Sequence, residues 1–184
     1  MVEKLVAKLG VTDPVMRDVS SGIPLVDADW INAAFNKGWF FTLLPATVYT
    51  SMQLQFSDAT EEQKALPTPA ISRQCVEELK AANTIIIGCP MYNFNVSAAL
   101  KSWIDMICLV GHTFKYEATG PVGLLTGKKV FIVISTGGIP VGSPMDFATP
   151  YLKAVFGFIG ITDITIIDAS KGNVAAAEEA IAAL

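Results

Sequence analysis

Two uninterrupted apolar runs in the second half of the chain predict buried β-strands. They span 84–89 and 129–135, and neither shows the polar alternation of a strand with one face in water. A third strand is predicted over 161–167. A short edge strand is predicted over 15–19, where Arg17 and Asp18 interrupt the apolar residues. Fully apolar strands are typical of parallel sheets that helices cover on both faces.

Apolar residues spaced three and four apart predict helices between these strands. Gly10 is expected to end the first helix, and Ser97 is the expected N-cap of another. A charged helical segment is expected to begin at Asp58 or Thr60, with a break at the prolines 67 and 69. The expected helices cover 1–9, 97–110, 144–158 and 174–184, together with the charged segment up to residue 82.

Strands that alternate with helices predict a doubly wound, mostly parallel sheet. A chain of 184 residues is large enough for one domain with a substantial core. The sequence has no internal repeat and no low-complexity linker, so we expect a single α/β domain over 1–184.

The two buried strands end in loops that suit a flat ligand. Residues 91–95 offer the aromatic rings of Tyr92 and Phe94, and residues 135–142 contain the adjacent Gly137 and Gly138. Glycine lets a backbone approach a planar ring closely. A glycine pair that only closes a loop is the simpler explanation when the second loop is taken alone. Because the carboxyl ends of parallel strands meet at one edge, the two loops together favour a binding cleft.

No group in the sequence is a convincing nucleophile, acid–base pair or metal site. Glycine motifs that bind phosphate are missing, and no serine–histidine–aspartate or cysteine–histidine arrangement can be argued. Cys89 is expected to be a packed small residue more often than a reactive thiol. His112 is expected to cap a helix end more often than to donate a proton. A hydrolase that uses His112 with Cys89 or Ser135 is therefore the weakest reading.

Composition excludes some partners. A formal net charge of −4 argues against broad nucleic-acid binding. The longest apolar tract, 39–49, is shorter than the roughly 20 residues of a membrane span and contains Pro45. No signal peptide is recognised at the start, so a cytoplasmic location is expected. The tract itself could be a lid, an oligomer interface or core, and an interface is the favoured interpretation.

Six short stretches occur in an order that resembles the FMN-dependent NADH-azoreductase family of flavodoxin-like quinone and azo reductases. The similarity runs from about residue 61 to residue 168. The stretches are Pro90-Met-Tyr-Asn-Phe-Asn95, Thr113-Phe-Lys-Tyr116, Gly120-Pro-Val-Gly-Leu-Leu-Thr-Gly-Lys-Lys129, Ser135-Thr-Gly-Gly-Ile139, Pro150-Tyr-Leu152 and Gly157-Phe-Ile-Gly160.

This resemblance implies a three-layer α/β/α fold of the flavodoxin type and a homodimer that binds FMN. It implies that NADH or NADPH reduces the FMN, which then reduces a quinone or an azo compound in a second step. Tyr116 and Phe158 match positions that border the substrate in the family's dimeric site. The residues implied to line the flavin ring are Met91, Tyr92, Asn93, Phe94, Ser135, Thr136, Gly137 and Gly138.

The start of the chain differs from the family pattern. Family members begin with a central strand and a serine-rich loop that holds the FMN phosphate, whereas residues 2–9 already have the pattern of the following helix. In the strand order 2-1-3-4-5, loss of the first strand would leave the strand at 84–89 with an unpaired edge. The chain starts late, or another segment fills the gap, or flavin binding is impaired. The alternative function is therefore a non-catalytic flavodoxin-like protein that acts through an interaction surface.

Overall fold

A three-stranded parallel sheet lies at the centre of the residues that the computed structural model describes, which are 1–19, 23–25, 27 and 67–184. The helices and strands, in chain order, are α1 Val2–Lys8, α2 Pro67–Ala81, β1 Thr84–Pro90, α3 Ala98–Ile107, β2 Phe114–Glu117, β3 Gly120–Gly123, β4 Lys129–Ser135, α4 Ala148–Phe158, β5 Asp163–Asp168 and α5 Val174–Ala182.

The sheet has the order β1–β4–β5, and both pairs are parallel. Thr84, Lys129 and Asp163 begin the three strands side by side, so their carboxyl ends form one common rim. The three strands predicted over 84–89, 129–135 and 161–167 are confirmed, with β5 shifted by two residues at its start. Within the described ranges, no strand pairs with the other edge of β1.

Helices cover both faces of the sheet. Alternate residues along β4 point to opposite sides, with Ile132 packed in a core that contains α2, α3 and α4 and Phe131 in a core that contains α1 and α5. The helix α1 lies so close to β1 that a Cβ atom on Gly88 would approach the Val2 side chain to 3.3 Å. The expected three-layer, doubly wound arrangement is therefore confirmed.

Helix ends follow local capping chemistry. The Ser97 side chain accepts a hydrogen bond from the Leu100 N–H at 3.2 Å, which confirms the predicted N-cap. The helix α2 begins at Pro67, where a break was expected, and proline is tolerated in a first turn because its missing N–H has no helical partner there. The predicted start at 144 for α4 is wrong: this helix begins at Ala148.

The predicted edge strand over 15–19 is also wrong. No strand is formed there, and the Val15 and Met16 side chains are 79% and 67% exposed. The segment is held to α2 by a two-fold contact instead. The Arg17 guanidinium donates to both carboxylate oxygens of Glu78, at 2.8 and 2.5 Å. A polar tether of this kind does not require strand pairing.

A two-stranded antiparallel hairpin, β2–β3, packs at the opposite end of the sheet from the rim. Its anchor is a contact between two backbones: a Cβ atom on Gly123 would lie 2.1 Å from the Gly160 nitrogen. The Leu125 N–H also donates to the Ile159 carbonyl at 2.9 Å. The hairpin is thus fixed against the connection between α4 and β5.

Two predicted features lie outside the described residues: the helix start at Asp58 or Thr60 and the apolar tract 39–49. Among the helices that the structure describes, none is long and apolar enough to cross a membrane.

Candidate functional site

The two loops after β1 and β4 are joined directly at the rim. Pro90 and Ser135 are partners in the strand register, and the next amide, of Met91, donates to the Ser135 carbonyl at 2.8 Å. Further out, the Phe147 N–H donates to the Phe94 carbonyl at 3.0 Å. The loops therefore form one continuous wall, as their positions after parallel strands led us to expect.

The first loop is a tight reverse turn in which a phenylalanine, Phe94, has a left-handed backbone. Tyr92 and Asn95 exchange two backbone hydrogen bonds, at 2.9 and 3.0 Å. The two residues between them have left-handed backbones, with φ of 47° at Asn93 and 71° at Phe94. Positive φ at both central residues defines a type I′ turn, which suits asparagine but is strained for phenylalanine. Strain of this kind clusters at functional sites.

The second loop leaves open space beside its glycines. A Cβ atom on Gly137 or Gly138 would meet no atom of the described residues within 4 Å. Neither residue has a positive φ, so backbone conformation does not require glycine at these positions. The missing side chains therefore leave room for an external flat group.

Backbone donors line this space. The amides of Asn93, Phe94, Gly137 and Gly138 have no hydrogen-bond partner among the residues that the structure describes. Thr136 differs, because its N–H donates to the Ser170 hydroxyl at 3.0 Å and its own hydroxyl donates to the Ile139 carbonyl at 2.6 Å. Both donors of Thr136, the N–H and the hydroxyl, are thus used within the protein.

Asp146 organises the far end of the second loop, and the sequence analysis missed it. One carboxylate oxygen accepts from the Ala148 and Thr149 amides at the start of α4, at 3.0 and 2.9 Å. The other accepts from the Gly142 N–H at 2.8 Å and from the Thr149 hydroxyl. Burial acts to raise the pKa of Asp146, but these hydrogen bonds outweigh it and the net shift is downward. An aspartate just before the helical pattern is the capping signal that could have identified it.

Tyr116 and Phe158 lie together but away from the rim of their own chain. Phe114 joins them, with its ring centroid 5.5 Å from that of Tyr116 and 4.3 Å from that of Phe158. Phe158 ends α4, which begins beside the rim and is about 16 Å long at 1.5 Å per residue. The half-exposed Tyr116 ring is therefore on a different part of the surface from Tyr92 and Phe94.

The residues considered for a hydrolase do not form a catalytic arrangement. Cys89 is 1% exposed, and burial, assisted by the nearby Asp146 charge, raises the pKa of its thiol to about 11. The His112 Nδ1 lies 3.4 Å from the Lys80 Nζ, at the end of α2 that leads into the amino end of β1. His112 is thus at the edge of the sheet opposite the rim that carries Ser135.

Comparison with known proteins identifies the family. The model of the flavodoxin-like fold family matches residues 1–184. The FMN-dependent NADH:quinone oxidoreductase 1 of Hahella chejuensis is 43% identical over 171 residues, which cover 93% of this chain and 74% of the relative. The chain belongs to this family of flavodoxin-like oxidoreductases.

Other members of the family agree with this assignment. The FMN-dependent NADH:quinone oxidoreductase 1 of Jannaschia sp. is 42% identical over 156 residues, 85% of this chain and 71% of the relative. Among solved structures, azoreductase AzrA superposes with a TM-score of 0.76 at 25% identity, over 99% of this chain and 86% of that one. The family resemblance read from the six sequence stretches is thus confirmed.

Proposed function

We propose that this chain is an FMN-dependent NAD(P)H oxidoreductase that reduces quinones or azo compounds. The observation that carries the proposal is the joined pair of rim loops. Four of their amides have no hydrogen-bond partner among the described residues, and those residues leave open space beside Gly137 and Gly138. The relatives' names specify FMN, NADH and quinone. The loops supply what a flat heteroaromatic ring with polar edge atoms requires.

The residues proposed to hold the flavin ring are those expected from the sequence: Met91, Tyr92, Asn93, Phe94, Ser135, Thr136, Gly137 and Gly138. Gly137 and Gly138 allow close approach, and their N–H groups can donate to carbonyl and nitrogen atoms of the ring edge. Tyr92 and Phe94, which are 60% and 42% exposed, offer apolar cover. Thr136 acts by shaping the loop.

FMN, when bound, supplies the redox chemistry, since it accepts two electrons from NAD(P)H and passes them to the acceptor. The protein's own contribution is to hold the ring, orient it and limit its contact with water. This division explains why no acid–base pair is needed at the rim.

We also propose that the chain, as one flavodoxin-like domain, works as a homodimer in the cytoplasm. The support is the separation of the two aromatic groups: Tyr116 and Phe158 cannot border a ring held at the rim of their own chain. A second copy could bring its Tyr116 and Phe158 to that rim. A quinone or azo acceptor would then bind between the flavin ring and the second copy.

The function is tested with the purified 184-residue chain. The visible spectrum is recorded during titration with FMN or riboflavin, and NADH oxidation is then followed with a benzoquinone as acceptor. We expect flavin absorbance to shift on binding and NADH to be consumed with parallel double-reciprocal plots, as in a two-step mechanism. Absence of both flavin uptake and NADH oxidation would refute the proposal and favour the non-catalytic alternative.

The dimer is tested by mixing two variants that each lack one part of the proposed shared site, at an FMN concentration that saturates the wild type but not Gly138→Val. Gly138→Val blocks the rim, and Phe158→Ala removes the aromatic group that a second copy would supply. If the site is shared, subunit exchange between the two variants yields heterodimers with one intact site, and activity returns. No recovery after exchange that native mass spectrometry verifies would contradict the shared site.

A further inference from the structure

We infer that Ser170 is a positioning residue for the glycine wall of the site, the part of the second loop formed by Gly137 and Gly138. Ser170 follows β5, 34 residues beyond Thr136 in the chain, and its Oγ accepts the Thr136 N–H at 3.0 Å. The Ser170 hydroxyl also points to the Thr136 Oγ1 at 3.4 Å. This inference rests on the proposed flavin function.

The contact matters because Gly137 and Gly138 have no anchors of their own. They lack side chains, and their amides make no hydrogen bond to a described residue. Their position is set by the residues on either side. Thr136 is fixed by Ser170 on one side, and its hydroxyl holds the Ile139 carbonyl on the other. The hydroxyl of Ser170 thus begins a chain of contacts that spans the glycine pair.

Ser170 is itself held in place by the loop after β5. Its N–H donates to one carboxylate oxygen of Asp168 at 2.9 Å, and the Asn173 side chain donates to the other at 2.5 Å. The Ala169 N–H extends the parallel ladder to the Ile134 carbonyl at 2.7 Å. Ser170 is also 9% exposed, so water cannot easily replace its hydroxyl. The loop after β5 therefore supports the glycine loop through its contact with Thr136.

The chemistry that this support serves is hydrogen bonding to the flavin ring. A ring edge that gains electrons is stabilised by donors that are already in place. If Ser170 sets the direction of the Gly137 and Gly138 amides, its removal should change both the affinity for FMN and the reduction potential of the bound flavin. A residue that only contributes to folding would leave the potential unchanged.

The test compares Ser170→Ala with Ser143→Ala. Ser143 is a matched control, since it lies in the same loop as the glycine pair, between β4 and α4, and its Oγ has no hydrogen-bond partner within the described part of the chain. For Ser170→Ala we expect the Kd for FMN to rise about tenfold, the size of one lost buried hydrogen bond. We also expect a changed reduction potential at saturating FMN, while Ser143→Ala matches the wild type in both.

Amide hydrogen exchange in the flavin-free protein gives a second readout. The Thr136 N–H should exchange about tenfold faster in Ser170→Ala than in the wild type, because its acceptor is lost. Normal FMN affinity and potential in Ser170→Ala would overturn the inference and leave the proposed function intact. A wild type that binds no flavin, with Thr136 still protected, would instead refute the proposed function, and the positioning role would fall with it.

Discussion

The left-handed backbone of Phe94 predicts an inverted order of stability between two substitutions. Both Phe94→Ala and Phe94→Gly remove the aromatic ring, so its lost contacts cancel in the comparison. Only glycine also removes the strain of φ at 71°. At an ordinary position alanine is the more stable choice, because glycine loses more conformational freedom on folding. At Phe94 we expect the reverse.

The magnitude follows from two opposing terms. A left-handed backbone costs a residue with a Cβ atom roughly 1–2 kcal/mol. The greater entropy of glycine in the unfolded chain costs about 0.5–1 kcal/mol. Phe94→Gly should therefore be more stable than Phe94→Ala by about 0.5–1 kcal/mol. With a urea slope of about 2 kcal/mol per molar, the unfolding midpoint should differ by about 0.3–0.5 M.

The assay is urea unfolding of the flavin-free variants, followed by circular dichroism. Glu179 provides the control because it is exposed in the interior of α5. There Glu179→Gly should be less stable than Glu179→Ala by about 1 kcal/mol. Equal stabilities at Phe94, or a more stable alanine variant, would refute the left-handed assignment. Flavin titration separates the second role, since both Phe94 variants should lose FMN affinity to the same extent.

Three further predictions concern the same rim. Asp146→Asn retains one oxygen for the start of α4 but turns an amide group towards the Gly142 N–H, so the free energy of unfolding at neutral pH should fall by about 1–3 kcal/mol. Because the folded state lowers the pKa of Asp146, the ionised carboxylate stabilises the fold fully above the ordinary carboxyl pKa. This stabilisation is lost as the pH falls through the folded-state pKa. The urea midpoint of the wild type should therefore approach that of the variant as the pH is lowered through this range. Gly138→Val should leave the urea midpoint unchanged, because its Cβ meets no atom within 4 Å, but raise the Kd for FMN about tenfold or more, and an unchanged Kd would remove Gly138 from the site. The Cys89 thiol, with its pKa raised to about 11, should resist iodoacetamide at neutral pH in the native state and react in urea, and Cys89→Ala should oxidise NADH at the wild-type rate.

Local and periodic signals account for the parts of the fold that the sequence predicts well. The strands β1 and β4 follow from unbroken apolar runs, and Ser97 follows from ordinary capping chemistry. The joined rim then follows from parallel pairing alone. The hairpin β2–β3 was not predicted, because Gly120, Pro121 and Gly123 are typical of a loop and the hairpin is anchored by the tertiary contact at Gly123.

The sequence predicted which residues form the site more readily than how those residues are arranged in the fold. Family resemblance pointed to Phe94 and Gly138, but the left-handed turn and the open space beside the glycines are properties of the folded backbone. No local sequence pattern indicated Ser170, because its partner Thr136 lies 34 residues away in the chain. The edge strand over 15–19 failed for a related reason: apolar residues on either side of Arg17 and Asp18 suggested a strand, but the Arg17 tether to Glu78 decides the position of this segment.

The backbone contact between Gly123 and Gly160 has a consequence for assembly. A hairpin on flexible tethers would lose conformational entropy each time a second copy docked against it. Here the close backbone approach already restricts the hairpin, so little conformational entropy is left to lose on docking. Phe114 also links Tyr116 to Phe158 through ring contacts. The aromatic surface is thus ordered before association, so formation of the proposed dimer should behave as rigid-body docking. Substituting Gly123 should therefore weaken the proposed assembly by disordering the hairpin.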